Sequence, residues 1–262
     1  MGSIKAGFCD IHYVGDDCFI LSNGPDLISQ HLKSGNAWEP ITLEISKHLI
    51  EGVTSPVLID VGANLGAWSV AMGRHVNSVG GRVFSFEPQR PVYYQLCANF
   101  FANNLFNCFS HHLAVGDYCG SIDIPFLDVH GFANLGALSI YEEIREKQGW
   151  VQSPTIFEKV NIATLDSMSL PIANLIKIDV EGLELEVIRG AGEWLNKSNN
   201  PPIIFEVWGD YMKNMIEKRK ELFSLLKNRH GYDIYQKGEM CVALHKKNSN
   251  GKADILSNFN II

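Results

Sequence analysis

Four short, mostly apolar runs in this 262-residue sequence end in a carboxylate: Val57-Leu58-Ile59-Asp60, Val83-Phe84-Ser85-Phe86-Glu87, Ile176-Lys177-Ile178-Asp179 and Ile203-Ile204-Phe205-Glu206. Buried strands that present acids at their ends can hold a cation, accept hydrogen bonds from hydroxyl groups, or take a proton. Asp179 and Glu206 are expected to lie close together if their strands are parallel neighbours. Two kinds of chemistry then compete. Either carboxylate acts as a general base with a raised pKa, or both hold a hard divalent ion such as magnesium through oxygen ligands. Asp179, Glu206 and Glu181 are the candidate catalytic residues. Glu184 and Glu186 have an ordinary explanation, since acids near a helix N-terminus are stabilised by its dipole, typically by about 0.3–1 kcal/mol each.

The turn after the first run, Asp60-Val61-Gly62-Ala63-Asn64-Leu65-Gly66, has the glycines of a tight strand-to-helix turn. It departs from a dinucleotide fingerprint, because Asn64 takes the place of the middle glycine, where a pyrophosphate needs close backbone approach. Asp60 would also repel a diphosphate. A carboxylate there suits a ligand with an ammonium and a sulfonium, which S-adenosylmethionine has without any phosphate. Asp60 is expected to anchor the ammonium, with Gly62, Asn64 and Gly66 forming the turn. Glu87, about twenty residues further on, is placed to accept from ribose hydroxyls. Backbone groups of Ala114 and Val115 are expected at the adenine edge, with Asp117 accepting from its amino group.

These residues need a scaffold that brings strand ends together. The apolar runs at 57–59, 82–86, 109–115, 175–178 and 203–207 read as strands. They alternate with helical patterns over 65–76, 92–103, 183–195 and 212–229. Residues 232–236 and 240–245 read as a closing antiparallel hairpin. This alternation predicts an α/β fold, a doubly wound and mostly parallel sheet of seven strands with helices on both faces. Residues 39–50 carry a helical pattern, and 1–37 read as short strands and turns. The expected division is an N-terminal segment of 1–52 that serves as a lid or arm, a core of 53–247, and a tail of 248–262. The stretch 116–164 interrupts the alternation with turns, a short helix near 141–147 and a strand at 159–162. Such insertions at strand ends tend to build substrate sites, so Asn134 and Ser139 are substrate candidates. Trp208, close after Glu206, is a candidate platform for a sugar ring.

Composition excludes several classes. Hydrophobic residues are 46% and charged residues 19%, which is globular and not disordered. With 22 Lys and Arg against 29 Asp and Glu, the net charge is −7. That balance argues against a protein that grips nucleic acid through its phosphates. No apolar run reaches the roughly 18 residues of a membrane span. There is no signal-peptide pattern, and Ala6 breaks the myristoylation pattern. Six scattered cysteines without a C-x-x-C pair are expected to be free thiols in the cytoplasm. The nine histidines show no H-x-x-x-H spacing. His12, His130 and His230 are weaker candidates for a base, and His111 and His112 face opposite ways on a strand.

Taken together, Asp60 to Gly66, Phe86-Glu87-Pro88, Ala114-Val115-Gly116-Asp117 and Ile176-Lys177-Ile178-Asp179-Val180-Glu181-Gly182-Leu183-Glu184 resemble the FkbM family of class I S-adenosylmethionine-dependent methyltransferases. The resemblance runs from about Trp38 to Val207. It implies O-methylation, frequently of sugars or other small metabolites, with a small-molecule hydroxyl acceptor. Trp38-Glu39-Pro40 resembles a family segment that closes over the cofactor, which makes Glu39 a further cofactor candidate. Three other readings stay open: an RNA ribose methyltransferase, a non-catalytic adenosine-nucleotide module, and an interaction protein on a methyltransferase scaffold. The ribose chemistry uses lysines alongside acids. Lys177 is available for it, but is expected to lie off the Asp179 face.

Overall fold

The computed structural model describes residues 8–126, 139–140, 142, 144, 156–248 and 251–262. The parallel core consists of β3 (Val57–Val61), β4 (Arg82–Phe86), β5 (Cys108–His111), β9 (Leu175–Ile178) and β10 (Ile203–Glu206). In space these run β10-β9-β3-β4-β5, every neighbouring pair parallel. The sheet continues antiparallel through β12 (Met240–His245), β11 (Tyr232–Lys237) and β13 (Asn260–Ile261), so it has eight strands rather than seven.

Both faces are buried, which explains the nearly continuous apolar strand sequences. Ile59, Ile176, Ile178, Ile203 and Phe205 pack on one side with α5 (Glu184–Arg189), α6 (Gly192–Lys197) and α7 (Ile216–Ser224). Leu58, Val83, Leu175 and Ile204 face the other way, toward α2 (Pro40–Leu49) and α3 (Ala67–Asn77). The doubly wound class read from the sequence is therefore the fold.

The N-terminal segment holds a hairpin of β1 (Cys9–Val14) and β2 (Asp17–Ser22), followed by α1 (Leu27–Lys33), a helix the turn-rich sequence did not reveal. Asn99 of α4 (Arg90–Ala102) and Asn103, which caps its C-terminus, take the backbone N–H groups of Ile20 and Cys18 at 2.7 and 2.8 Å, which fixes the hairpin on the core. Near the other end, Leu256 is buried in the same cluster as residues of α2 and α3, and β13 pairs with β11.

Three expected elements are broken. The run 109–115 divides at Leu113. β5 pairs with β4, whereas β6 (Ala114–Val115) joins a separate sheet of order β6-β8-β7 with β8 (Phe157–Ala163) and β7 (Gly120–Pro125). The helix over 183–195 is two short helices. They part at Gly190, where a Cβ would lie 2.1 Å from the Gly116 carbonyl oxygen. The helix over 212–229 narrows to a 3-10 turn at Lys213–Met215 and widens to a π turn at Leu225–Arg229 around α7. Among the described residues, no helix is long and apolar enough to cross a membrane. All six cysteines are free.

Candidate active site

The carboxyl ends of β3, β4, β9 and β10 open into one cavity with about 1180 Å³ of empty space, its open mouth included. Carboxyl ends of strands are where ligands bind in open α/β sheets.

The turn after β3 is held in two ways. Gly62 and Ala63 donate their N–H groups to the Phe86 carbonyl at 3.0 and 2.9 Å. Glu87 then clamps the loop, since Oε2 accepts from Asn64 N at 2.9 Å and Oε1 from Gln89 N at 2.7 Å. Asn64 itself has φ +52°, a left-handed conformation that Asn tolerates. Gly62 at φ +82° lets the end of β9 come close, because a Cβ would fall 1.8 Å from the Asp179 carbonyl oxygen. Glu87 is buried at 6% exposure, and burial pushes its carboxyl up to about 7 despite the two backbone donors. Gly62, Asn64, Glu87, Leu113, Ala114 and Val115 all line the cavity.

The cavity is also lined by Glu39, Lys177, Asp179, Glu181 and Glu206. Asp179 accepts from Lys177 Nζ at 3.2 Å. Glu39, left-handed at the start of α2, accepts from Trp38 Nε1 at 2.9 Å. Burial raises its carboxyl above the ordinary value, Lys177 opposes the shift and Asp179 adds to it. Glu206 ends β10. Burial pushes it up to about 8, helped by the negative charges of Asp179 and Glu39. Glu181 is raised by burial first and by Asp179, Glu184 and Glu206 next, against a hydrogen bond from Trp208. Glu184 turns back to accept from Gly182 N at 3.1 Å, which makes it part of the loop's frame.

Several expected placements do not occur. Asp60 is fully buried and does not line the cavity. Its Oδ2 accepts from Ser69 Oγ at 2.6 Å, on the α3 face of the sheet. Gly66 also lies outside the lining and packs against Leu96, where a Cβ would meet Cδ1 at 2.7 Å. Asp117 is exposed, because the chain leaves the site once β6 joins the second sheet. Trp208 sits behind Gly182 in a separate shallow pocket and touches the site through Glu181. Ser139 is buried and Ile140 lines the cavity, whereas Asn134 and His130 lie outside the described residues. His12 and His230 do not line it. As expected, His111 and His112 diverge: one stacks on Phe86 and the other on Tyr93. Asp179 and Glu206 do share the cavity. Among the described residues, however, no group of three or more His, Cys, Asp or Glu is arranged to hold a metal ion.

Lys177 corrects one expectation outright. Residues two apart on a strand share a face, so Lys177 lies beside Asp179, not away from it.

The methyltransferase FkbM domain matches this sequence over residues 60–234. The chain belongs to that family. The match begins at Asp60 and ends inside β11, so it spans the cavity's acidic strand ends. No curated protein is similar enough in sequence to match. Among solved structures, the FkbM methyltransferase of Methylobacillus flagellatus is 16% identical, with a TM-score of 0.47 over 75% of this chain. This chain spans 47% of that protein's length. The precorrin-6y C5,15-methyltransferase of Geobacter metallireducens is 13% identical, with a TM-score of 0.45 over 79% of this chain and 88% of its own. TYW2 of M. jannaschii, solved with AdoMet, is 13% identical, with a TM-score of 0.40 over 92% of this chain and 85% of its own.

In this FkbM-family chain, the sequence pattern did not mark Lys177 as a site residue, although its spacing from Asp179 was the available signal. It also missed Ile28, Gln89 and Leu183 in the cavity wall, for which no local pattern exists.

Proposed function

We propose that this protein is an S-adenosylmethionine-dependent O-methyltransferase whose acceptor is a hydroxyl group of a sugar or other small metabolite. The observation that carries this reading is the acidic lining of the cavity: Glu39, Glu87, Asp179, Glu181 and Glu206 line it, and among the described lining residues Lys177 is the one cationic side chain. S-adenosylmethionine, with an ammonium, a sulfonium, one carboxylate and no phosphate, fits that pattern. A dinucleotide diphosphate does not. Glu87 would face the ribose, Ala114 and Val115 the adenine, and Glu39 with Asp179 the ammonium. When bound, the cofactor supplies a methyl group on a sulfonium leaving group.

The chain's own part is to orient the acceptor and to take its proton. Orientation of reacting groups accounts for a large share of such rates. Glu206 is the assigned base. A carboxyl held near 8 is largely protonated at pH 7, but its deprotonated form is a stronger base than an ordinary carboxylate, so turnover should rise as pH passes through 8; general-base catalysis contributes about 10²–10⁴-fold. The proton passes from the acceptor hydroxyl to the Glu206 carboxylate as the oxygen takes the methyl group. The negative charges of Asp179 and Glu39 strengthen that base.

Ribose methylation of RNA gains one observation, since Lys177 lies beside Asp179. The acidic lining opposes it, because phosphates would meet five acidic side chains and a lysine already paired to Asp179. An RNA affinity that falls steeply with salt would favour it.

The test is methyl transfer from labelled S-adenosylmethionine to a panel of neutral sugars and small alcohols, with and without magnesium. A base-stable methyl ether is the expected product. Label appearing only as base-labile ester, or on an amine or RNA, would overturn the assignment.

A further inference from the structure

Lys177 is almost wholly covered, with 8% of its side chain exposed, yet it lines the cavity. Its Nζ lies 3.2 Å from Asp179 Oδ2 and 3.6 Å from Asp60 Oδ1. Asp60 Oδ1 is buried and has no hydrogen-bond partner. Its other oxygen is committed to Ser69, whose hydroxyl in turn lies 2.6 Å from that of Ser85. The register explains the arrangement: Asp60 and Lys177 are directly paired across β3 and β9, on the α2 and α3 face.

A buried ammonium is costly unless it is paired and hydrogen-bonded. Burial alone would lower the Lys177 pKa, but Asp179, Asp60 and Glu39 outweigh it and keep the charge in place. The ammonium has three protons to donate. Asp179 takes one, and the Asp60 oxygen, beyond hydrogen-bond distance, holds the charge from behind.

We propose that Lys177 receives the carboxylate of the amino-acid end of S-adenosylmethionine, and that Asp60 is a positioning residue that acts through Lys177 and does not touch the ligand. This rests on the function proposed above. The argument is one of charge matching. A zwitterionic end brings one anionic group into a cavity lined by five carboxylates, and Lys177 is the cation in that lining able to meet it. Asp60, the acid the sequence offers as the ammonium anchor, sits behind the wall and is out of reach.

The experiment compares two probes by calorimetry: S-adenosylmethionine and its decarboxylated form, which keeps the ammonium and sulfonium but lacks the carboxylate. Each is titrated into the wild type, Asp60→Asn, Lys177→Met, and the double variant Lys177→Met with Asp60→Asn, which removes both buried charges together. The quantity read is the Kd for the decarboxylated probe divided by that for S-adenosylmethionine. A charge-assisted hydrogen bond to the carboxylate predicts that this ratio falls by about tenfold to a hundredfold in Lys177→Met and in the double variant. Asp60→Asn alone should lower the ratio by less, and should add nothing once Lys177 is gone. If both probes weaken equally and the ratio holds, Lys177 only braces Asp179 and the inference is wrong. If the wild type binds neither probe, the function proposed above has failed, and this inference with it. Should the methionine variants not fold, Lys177→Gln with Asp60→Asn reads the same ratio.

Discussion

Glu206 and Asp60 show how the same side-chain type at two strand ends comes to different work. Glu206, at the last position of β10, lines the cavity and is pushed up to about 8. Asp60 is the fourth of the five residues of β3, and alternation turns it toward Ser69 and α3. For Glu206→Gln, turnover should fall by about 10²–10⁴-fold, while calorimetric affinity for S-adenosylhomocysteine stays within about threefold, because Gln keeps the shape of the side chain. Loss of affinity with no separate loss of turnover would make Glu206 a cofactor anchor. Of the acids that line the cavity, Glu87, Asp179 and Glu206 were legible in the sequence because each stands at the end of an apolar run, whereas Glu39 was marked only by the family resemblance. Whether an acid faces the cavity or the layer behind it was not legible. That depends on where the strand stops relative to its neighbours, and Asp60 differs from expectation on this point, whereas the side of Lys177 could be read from its spacing to Asp179.

At the scale of elements, glycines decide where the strand ends can meet. Gly62 combines φ +82° with a virtual Cβ 1.8 Å from the Asp179 carbonyl. Gly35 at φ +81° has nothing within 4 Å. Left-handed strain alone costs about 1 kcal/mol or somewhat more, and overpacking adds about 1–3 kcal/mol. Gly62→Ala is therefore expected to destabilise by about 3 kcal/mol or more in urea unfolding, and Gly35→Ala by about 1 kcal/mol. Equal losses would remove the packing role assigned to Gly62. The parallel strands and most helices were readable from periodicity. The breaks at Leu113 and Gly190 were not, because they arise from partners distant in sequence. β6 leaves the main sheet to pair with Ile162 and Ala163, and Gly190 abuts Gly116. No window of ten or twenty residues contains that information.

At the scale of the molecule, burial of acids couples folding to pH. Glu87 and Glu184 sit near 7 and Glu206 near 8, each raised chiefly by burial from an ordinary value of 4.5. A carboxyl raised in the folded state binds more protons folded than unfolded, so its contribution to stability is complete below about 4.5 and declines as pH rises through 7 to 8. His75, His111, His230 and His245 are shifted down by burial from 6.5, so their opposite effect is essentially complete by about pH 7. The thermal midpoint should therefore fall between pH 7 and pH 9, and less steeply in Glu206→Gln. A midpoint that rises across this range would contradict the burial of these acids.

The same surplus of acid underlies the functional reading, and one titration tests it most directly. S-adenosylhomocysteine and NAD are each titrated calorimetrically into the wild-type protein. The cavity's acids and its Glu87-clamped turn predict micromolar affinity for S-adenosylhomocysteine and no detectable heat with NAD, whose diphosphate would meet a lining of five acidic side chains with Lys177 already paired to Asp179. Binding of NAD with silence for S-adenosylhomocysteine would contradict the assignment and make the site a dinucleotide module.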